Sequence, residues 1–384
     1  MASKFPENDA YLGTVLVTGG CGFIGSFIVA AFAAEPTCTS VVGASRNPKK
    51  FRIPEATYRS CDFMDAQEVQ KLLDEVQPRV IVHTVSPGVF AIPSEHYRVS
   101  YLGTKQLLEL AKQHPSVRAL VWTSSVEAVT LDPALNSRSV DEAGYRVNDF
   151  TSQASAYGRA KGATETLVLG SSTDATVVDF ADDADWRGKL LTTSLRVTGL
   201  YGPRDKTTIK EMLNVNGTLA SRVQIGPNTL VHSWNYVESA ANAHVDAAKA
   251  LLDRRHLRPG MRVDGEAFFI ADPEPMRFWD FSRSVWRVAG DSFCNRPAVE
   301  QRLIVIPFWL IKAVAMVGEW VYWIATFGSK RPRMTIDHFE FMAKGCWFSI
   351  EKARKRIGYE PVCGTEEGIQ RTVKWFEENE AWDI

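Results

Sequence analysis

The peptide TGGCGFIG, residues 18–25, limits the folds open to this chain more than any other stretch, because it directly follows an apolar run at residues 14–18. Clustered glycines cost chain entropy, so they indicate a backbone path that side chains would obstruct. The apolar pattern over residues 23–34 predicts a helix that begins inside the peptide. A strand, a glycine loop and a helix in direct succession are typical of a unit that binds a diphosphate.

Each glycine of this loop has its own mechanical task in such a unit. Gly19 allows a tight turn, Gly22 lets the backbone approach a diphosphate, and Gly25 lets the helix pack closely on the strand. Phe23 and Ile24 begin the helix, whose N-terminal amides and partial positive charge face the phosphates. The loop therefore predicts a bound dinucleotide.

Short β-rich runs alternate with longer helical patterns over the first two-thirds of the chain. This alternation predicts an α/β protein with a Rossmann-type, doubly wound parallel sheet. The predicted strands are residues 14–18, 40–44, 80–84, 119–123 and 192–197. The predicted helices are residues 23–34, 66–75, 97–113 and 153–170.

The alternation fades after residue 202, which predicts a division of the chain there. We expect an NAD(P)-binding Rossmann domain over residues 10–202, with its sheet completed by later segments near residues 229–275. A smaller C-terminal substrate-binding domain over residues 203–384 is expected to contain an apolar helix at residues 303–327.

The end of the second predicted strand distinguishes between two dinucleotides. An acidic side chain there would bind the ribose of NAD, but this strand ends in Ser45 and Arg46. Three further cations follow, namely Lys49, Lys50 and Arg52. Because arginine grips a phosphate with paired donors, the pattern favours NADP(H), and NAD(H) stays the alternative. Asp62 and Phe63, after the third short strand, are expected to flank the adenine.

Tyr157 and Lys161 lie four residues apart, on one face of the predicted helix at residues 153–170. A free phenol has a pKa of about 10, which a nearby ammonium and a positive nicotinamide ring would lower. Such a phenol takes a proton from an alcohol while a hydride leaves the carbon. Ser125, preceded by Ser124, closes the fourth long strand, at the sheet edge where α/β proteins bind ligands.

The chain resembles a known family from residue 15 to about residue 375, and seven peptides carry this resemblance. They are VTGGCGFIG, VWTSSVEAV, AYGRAKGATE, LRVTGLYGPRD, WNYVESAANAHVDAA, GEAFFIADPEPMRFWDF and IEKARKRIGYEP. In these peptides the chain resembles the extended short-chain dehydrogenases/reductases. Within that superfamily it is similar to the 3β-hydroxysteroid dehydrogenase family, which includes the sterol-4α-carboxylate 3-dehydrogenases.

The resemblance implies Tyr157 as proton donor and acceptor, Lys161 as its electrostatic partner, and Ser125 as the hydroxyl that orients the substrate. It implies that Val197, where the family usually has proline, lies near the nicotinamide amide. Ser100 replaces an asparagine of the family's proton relay behind Lys161. The implied reaction interconverts a 3β-hydroxyl and a ketone on a steroid or triterpenoid, with decarboxylation when a carboxylate sits on the neighbouring carbon.

Two other functions stay open at this point. An NDP-sugar epimerase or dehydratase shares the loop and the Tyr/Lys pair, and it predicts a polar pocket with phosphate-binding cations. A dinucleotide-binding regulator without turnover is the second alternative, because Ser100 and Val197 depart from the family pattern.

The overall composition excludes several classes of partner. A net charge of −1 argues against a nucleic-acid partner. The seven histidines lack metal-ligand spacing, so no metal site is expected. Six cysteines without a CxxC pair, and an N-terminus without an apolar signal, predict a cytoplasmic protein.

Residues 303–327 are the most apolar stretch, interrupted by Pro307, Lys312 and Glu319. Cations follow at Lys330, Arg331 and Arg333. Three interpretations stay open: a buried helix, peripheral membrane contact through residues 303–333, or a helix that spans a membrane. For a lipid-like substrate, the expected membrane is the cytosolic face of the endoplasmic reticulum. A homodimer is a further open expectation.

Overall fold

The computed structural model describes residues 10–132, 134, 139–181, 184–326 and 344–379. The strands are β1 Gly13–Thr18, β2 Cys38–Ser45, β3 Thr57–Ser60, β4 Val80–His83, β5 Ala119–Ser125, β6 Leu191–Val197, β7 Gly199–Tyr201, β8 Val223–Ile225, β9 Val231–His232, β10 Trp234–Tyr236, β11 Glu266–Ile270, β12 Met276–Arg277 and β13 Ile304–Ile306. The α-helices are α1 Phe23–Ala34, α2 Ala66–Val76, α3 Pro93–Glu95, α4 Gly103–Gln113, α5 Ala156–Gly170, α6 Ile209–Asn214, α7 Val237–Leu252, α8 Phe278–Val288, α9 Phe308–Thr326, α10 Glu351–Ile357 and α11 Thr365–Glu378.

Seven strands form one sheet in the order β11-β6-β5-β4-β1-β2-β3. Every neighbouring pair in it is parallel. This confirms the predicted α/β class with a Rossmann-type doubly wound sheet. The strand β11 joins the sheet beside β6, although it follows β6 in the chain only after a long excursion.

The sheet is covered on both faces, so its central strands are apolar on both sides. On β1, Val15 and Val17 point into one core, while Leu16 points into the other. The first core is closed by α1 packed on α7, and the second by α2, α4 and α5. This arrangement explains why β1 is a continuous apolar run rather than an alternating one.

The strand order reverses at β1, which pairs with β2 on one side and β4 on the other. At such a switch point, the helices that follow neighbouring strands lie on opposite faces, and a crevice opens at the carboxyl ends of the strands. The glycine loop follows β1 directly, so the fold places it at the mouth of this crevice.

The predicted helix at residues 97–113 begins earlier than expected and is not regular. A single turn, α3, leads into a π-helix at His96–Leu102, and α4 follows it. Wide π-turns are rare and are found mostly at functional sites. The irregular stretch packs against α5, which carries the Tyr/Lys pair.

The predicted apolar helix at residues 303–327 is wrong in its first part. Ile304–Ile306 forms β13, paired with β8, and Pro307 separates it from α9. A proline lacks the amide hydrogen that a helix interior needs, so a helix begins at or after it. Residues 327–333, the end of the predicted helix and the following cations, lie outside the described residues.

Most of the described side chains of α9 face solvent. Trp309 and Trp320 are 69% and 65% exposed, and Val314, Met316, Val317 and Val321 are more than half exposed. Phe308, Ile311, Lys312 and Ala315 form the less exposed stripe. In the part of the chain that the structure describes, no helix is both long and apolar enough to span a bilayer.

Candidate active site

The glycine loop is held in a tight turn against the end of β2. Gly19 has φ of +74°, in the left-handed region that favours glycine, and its carbonyl accepts a hydrogen bond from the Gly22 amide at 2.8 Å. A side chain at Gly25 would overlap the Gly19 carbonyl oxygen. The Cys21 amide donates to Ser45 Oγ at 3.2 Å, which ties the loop to β2.

The start of α1 leaves a place for an anion. Gly22 is its N-cap residue and supplies no side-chain cap, and the first turn, from Phe23 and Ile24 onward, contains no acidic residue. The first amides of a helix need acceptors, and a diphosphate supplies them. The loop and this helix end therefore fit a dinucleotide.

The predicted basic turn lies at the edge of the same loop. Arg46 follows β2 with an exposed side chain, and its carbonyl accepts from Ser60 Oγ at 2.9 Å. The Arg52 guanidinium lies 5.0 Å from the centre of the Tyr58 ring. Cation–π packing of this kind holds a guanidinium in place.

Asp62 and Phe63 lie just after β3, but only one of them is exposed. Asp62 Oδ1 accepts from the Met64 amide at 3.0 Å and the carboxylate remains exposed. Phe63 is buried, with its ring 6.3 Å from the imidazole of His83. The role of this pair toward adenine stays a prediction.

Sequence reasoning missed a further arginine beside the loop. Arg204 Nη1 donates to Ser26 Oγ at 3.2 Å, and its guanidinium lies 5.1 Å from the ring of Phe27 and 4.9 Å from that of Phe51. Burial lowers the pKa of Arg204, and Tyr58 partly offsets that shift. The surrounding peptide LYGPRD does not predict these contacts, because Ser26, Phe27 and Phe51 are distant from Arg204 in the sequence.

The helix α5 begins at a serine cap and presents the predicted pair. Ser155 Oγ accepts from the Gly158 amide at 2.9 Å, which fixes the first turn that carries Tyr157. Lys161 is 3% exposed; its Nζ donates to the Thr123 carbonyl at 2.8 Å and lies 5.7 Å from the centre of the Tyr157 ring.

Burial governs the protonation of both side chains. It lowers the pKa of Lys161 to about 8, and Glu165 pulls that pKa back upward. It also raises the pKa of the Tyr157 phenol above its ordinary value, with a further rise caused by Glu127 and a partial offset from a hydrogen bond to Ser125. Tyr157 thus stays a phenol at neutral pH.

The structure brings the predicted Ser125 and Val197 to the same place. The last residue of β5, Ser125, is paired in register with Val197, the last residue of β6. Ser125 also interacts with the Tyr157 hydroxyl. The neighbouring Ser124 is buried, and its Oγ has no hydrogen-bond partner among the described residues. Ser125, Tyr157, Lys161 and Val197 thus converge at the carboxyl edge of the sheet, and their roles stay predictions.

A histidine missed by sequence reasoning contacts the tyrosine. His96, 1% exposed, lies edge-on to Tyr157 with ring centres 5.7 Å apart. Burial lowers the pKa of His96, and a hydrogen bond with the Val89 backbone offsets part of the shift. On the same π-helix, Ser100 Oγ lies 3.4 Å from Ser86 Oγ.

A buried ion pair stands behind the site. Arg196 on β6 donates to Glu165 on α5, with Nη2–Oε1 at 2.6 Å and Nε–Oε1 at 3.0 Å. Ser194 Oγ adds a third donor at 2.8 Å. Because Glu165 is one helical turn beyond Lys161, the pair fixes the face of α5 that carries the catalytic candidates.

A cavity of about 210 Å³ lies in the C-terminal part of the chain. Its lining is the loop at residues 225–230 with His232, Phe278, Trp279 and Phe308, and none of these residues is lysine or arginine. His232 Nδ1 lies 3.9 Å from the sulfur of Cys346, whose pKa is raised by burial and, to a lesser extent, by Glu127. Among the described residues, no cluster of side chains could hold a metal ion.

Comparison with known proteins relates most of the chain to one family. The sequence model of the 3-beta hydroxysteroid dehydrogenase/isomerase family matches residues 16–296. The decarboxylating sterol-4-alpha-carboxylate 3-dehydrogenase of Gibberella zeae is 31% identical over 84% of this chain and 98% of that enzyme. Its namesake from Saccharomyces cerevisiae is 27% identical over 95% of this chain and 98% of that enzyme.

Solved structures with the same fold include enzymes of nucleotide-sugar chemistry. A UDP-glucose 4-epimerase from Thermotoga maritima has a TM-score of 0.65 at 18% identity, covering 96% of this chain and 99% of its own. A dTDP-glucose 4,6-dehydratase from Bacillus anthracis, solved with NAD, has a TM-score of 0.65 at 17% identity, covering 96% and 98%. At such identities the likeness shows a shared fold.

Proposed function

Because this chain belongs to the 3-beta hydroxysteroid dehydrogenase/isomerase family and is an oxidoreductase, we propose that its substrate is a 3β-hydroxysteroid or triterpenoid with a carboxylate on the carbon next to the hydroxyl. The observation that carries the proposal is the hydrogen bond between the Ser125 and Tyr157 side chains at the carboxyl edge of the sheet. Lys161 lies one helical turn after Tyr157 on α5. The names of the relatives supply the substrate class.

The side chains divide the oxidation between them. The Ser125 hydroxyl holds the substrate oxygen, and the Tyr157 phenolate removes its proton as the C=O bond forms. The bound nicotinamide supplies the hydride acceptor. The Lys161 ammonium, desolvated between Thr123 and the Trp122 ring, favours the phenolate at the moment of proton transfer.

Decarboxylation then needs little further apparatus. The new ketone accepts the electron pair of the C–C bond that breaks, so CO₂ leaves and an enolate remains, which takes a proton at carbon to give the product ketone. Ser125 and Tyr157, placed at the ketone oxygen, polarise it by hydrogen bonding.

We propose that the cavity at residues 225–230 is part of the substrate-binding region, and its lining favours a lipid-like substrate over a nucleotide sugar. A diphosphate needs cations or clustered amides, whereas this cavity has three large aromatic side chains and no lysine or arginine. The complete set of Ser125, Tyr157 and Lys161 argues against a regulator without turnover.

We propose NADP(H) as the preferred cofactor, with NAD(H) as the weaker one. The support is the absence of a carboxylate at Ser45 and Arg46, and the two additional arginines, Arg52 and Arg204, which are held on aromatic rings near the loop. A 2′-phosphate is a dianion that would compensate these charges.

We also propose that the protein contacts membranes peripherally through α9, at the cytosolic face of the endoplasmic reticulum. The exposed tryptophans and aliphatic side chains of this helix support the proposal. A sterol-sized substrate partitions into lipid, so the contact would bring the active site to its substrate.

The decisive experiment measures cofactor reduction by absorbance with a sterol 4α-carboxylic acid and with NADP⁺ or NAD⁺, and measures released CO₂. We expect wild-type turnover, a loss of at least a thousandfold for Tyr157→Phe, and nearly unchanged cofactor affinity in that variant. UDP-glucose serves as the control substrate. Turnover of UDP-glucose alone, or full activity of Tyr157→Phe, would contradict the proposal.

A further inference from the structure

One carboxylate is fixed beside the catalytic tyrosine. Glu127 lies in the 3₁₀ turn Val126–Ala128 that directly follows β5. Its amide donates to Ser125 Oγ at 3.2 Å, and Ser155 Oγ donates to its Oε2 at 2.9 Å. The first bond ties the backbone of Glu127 to Ser125, and the second holds its carboxylate on Ser155, two residues before Tyr157.

We propose that Glu127 is a positioning residue that holds Tyr157 in its protonated form until an oxidised, positively charged cofactor occupies the crevice. The inference rests on the proposed oxidoreductase function and adds a control on when the base forms. A fixed negative charge opposes the ionisation of a neighbouring phenol, and a positive nicotinamide ring offsets that opposition.

The other groups facing Tyr157 do not cancel this charge. On α5 itself, the Lys161 ammonium is bound to the Thr123 carbonyl and lies closer to the Trp122 ring than to the Tyr157 ring, at 4.7 Å against 5.7 Å. On the π-helix, burial favours the neutral form of His96. The rise in the pKa of Tyr157 caused by Glu127 agrees with this arrangement.

The arrangement suits a reaction run in either direction. With reduced cofactor bound, the phenol is ready to give its proton to a ketone. With oxidised cofactor bound, the positive nicotinamide ring favours loss of the proton from Tyr157. The phenolate base therefore forms in the complex with oxidised cofactor, which is the complex that oxidises the alcohol. In the free protein the tyrosine stays neutral, which suits its buried position.

The test compares oxidative pH profiles of kcat/KM for the wild type and Glu127→Gln. The amide keeps an oxygen for Ser155 but removes the charge, so we expect the rising limb to move about one unit toward lower pH. Ser155→Ala, which frees the carboxylate, should shift the limb the same way by less. Glu142→Gln, which removes another half-buried carboxylate, should leave it unchanged.

A second readout needs no turnover. Without cofactor, the ultraviolet absorbance titration of Glu127→Gln minus that of Glu127→Gln/Tyr157→Phe isolates the ionisation of Tyr157. The same difference between the wild type and Tyr157→Phe gives its ionisation with Glu127 present. We expect the midpoint pH to be lower in the Glu127→Gln background. Unchanged midpoints in both measurements, or shifts toward higher pH, would overturn the inference. Wild-type turnover separates that failure from a failure of the proposed function, which an inactive wild type would indicate.

Discussion

Arg204 shows how a single residue can acquire a role from its neighbours. Its backbone is left-handed, with φ of +71°, and so is that of Phe51, with φ of +53°, on which its guanidinium rests. Such positions cost side chains free energy and concentrate at functional sites. Among the described residues, Arg204 forms no ion pair with a carboxylate. A half-buried cation of this kind suits an anionic ligand.

We therefore predict that Arg204→Gln weakens NADPH binding at least tenfold and NADH binding less than threefold, because a charge-assisted contact to the 2′-phosphate is lost. Cofactor fluorescence titration measures both constants. Arg222→Gln is the matched control, since Arg222 also lies over an aromatic ring, that of Phe293 at 5.3 Å. Equal losses for the two cofactors would place Arg204 elsewhere than at the 2′-phosphate.

The candidate site residues that could be predicted from the sequence are those whose position within a single helix or strand indicates their role. Tyr157 and Lys161 share a helix face because they are four apart, and Ser125 ends a strand that periodicity identifies. Glu127, His96 and Arg204 could not be predicted, because each contacts the site through packing between separate elements. No local pattern records such contacts.

The helix α5 carries the catalytic candidates and their support on one face. Tyr157, Lys161 and Glu165 follow each other at intervals of four, so Glu165 reaches the buried Arg196 on β6 from the face that faces the sheet. Both charged side chains are almost fully buried. Each therefore depends on the other, since an unpaired charge in the interior is strongly unfavourable.

Glu165→Gln should lower the free energy of unfolding by about 3–5 kcal/mol, because it leaves the Arg196 charge without a counter-charge. Urea unfolding followed by circular dichroism measures the loss. The double variant Glu165→Leu/Arg196→Met, which removes both charges at similar volume, should recover most of it. A loss below about 1 kcal/mol in the single variant would mean that water or another group compensates Arg196.

At the scale of the whole molecule, the alternation of strands and helices predicted the parallel sheet, but not the order in which its strands lie side by side. The five predicted strands all lie in the sheet, in the order that the switch point requires. The edge strand β11, Glu266–Ile270, pairs with β6 and lies within the segment near residues 229–275 that was expected to complete the sheet. The division at residue 202 and the individual site roles stay predictions.

The part of the chain that follows β11 carries α9, the surface through which the molecule would meet lipid. The less exposed stripe of α9 includes Lys312, whose Nζ lies 5.3 Å from the centre of the Phe308 ring. Exposed apolar side chains on one helix gain free energy when a membrane interface covers them. The exposed side of α9 is thus the side that would enter the interface.

We predict that the protein floats with phosphatidylcholine vesicles containing anionic lipid, and that Trp309→Ser/Trp320→Ser reduces the vesicle-bound fraction at least tenfold. Each indole would bury its apolar ring, worth about 1.5–3 kcal/mol. A high-salt wash should leave most of the wild-type protein bound, because burial of the indole rings does not depend on charge. Val177→Ser/Leu219→Ser, which removes equally exposed apolar side chains away from α9, should float like the wild type. If both double variants bind vesicles alike, α9 is not the contact, and its exposed face must serve another partner.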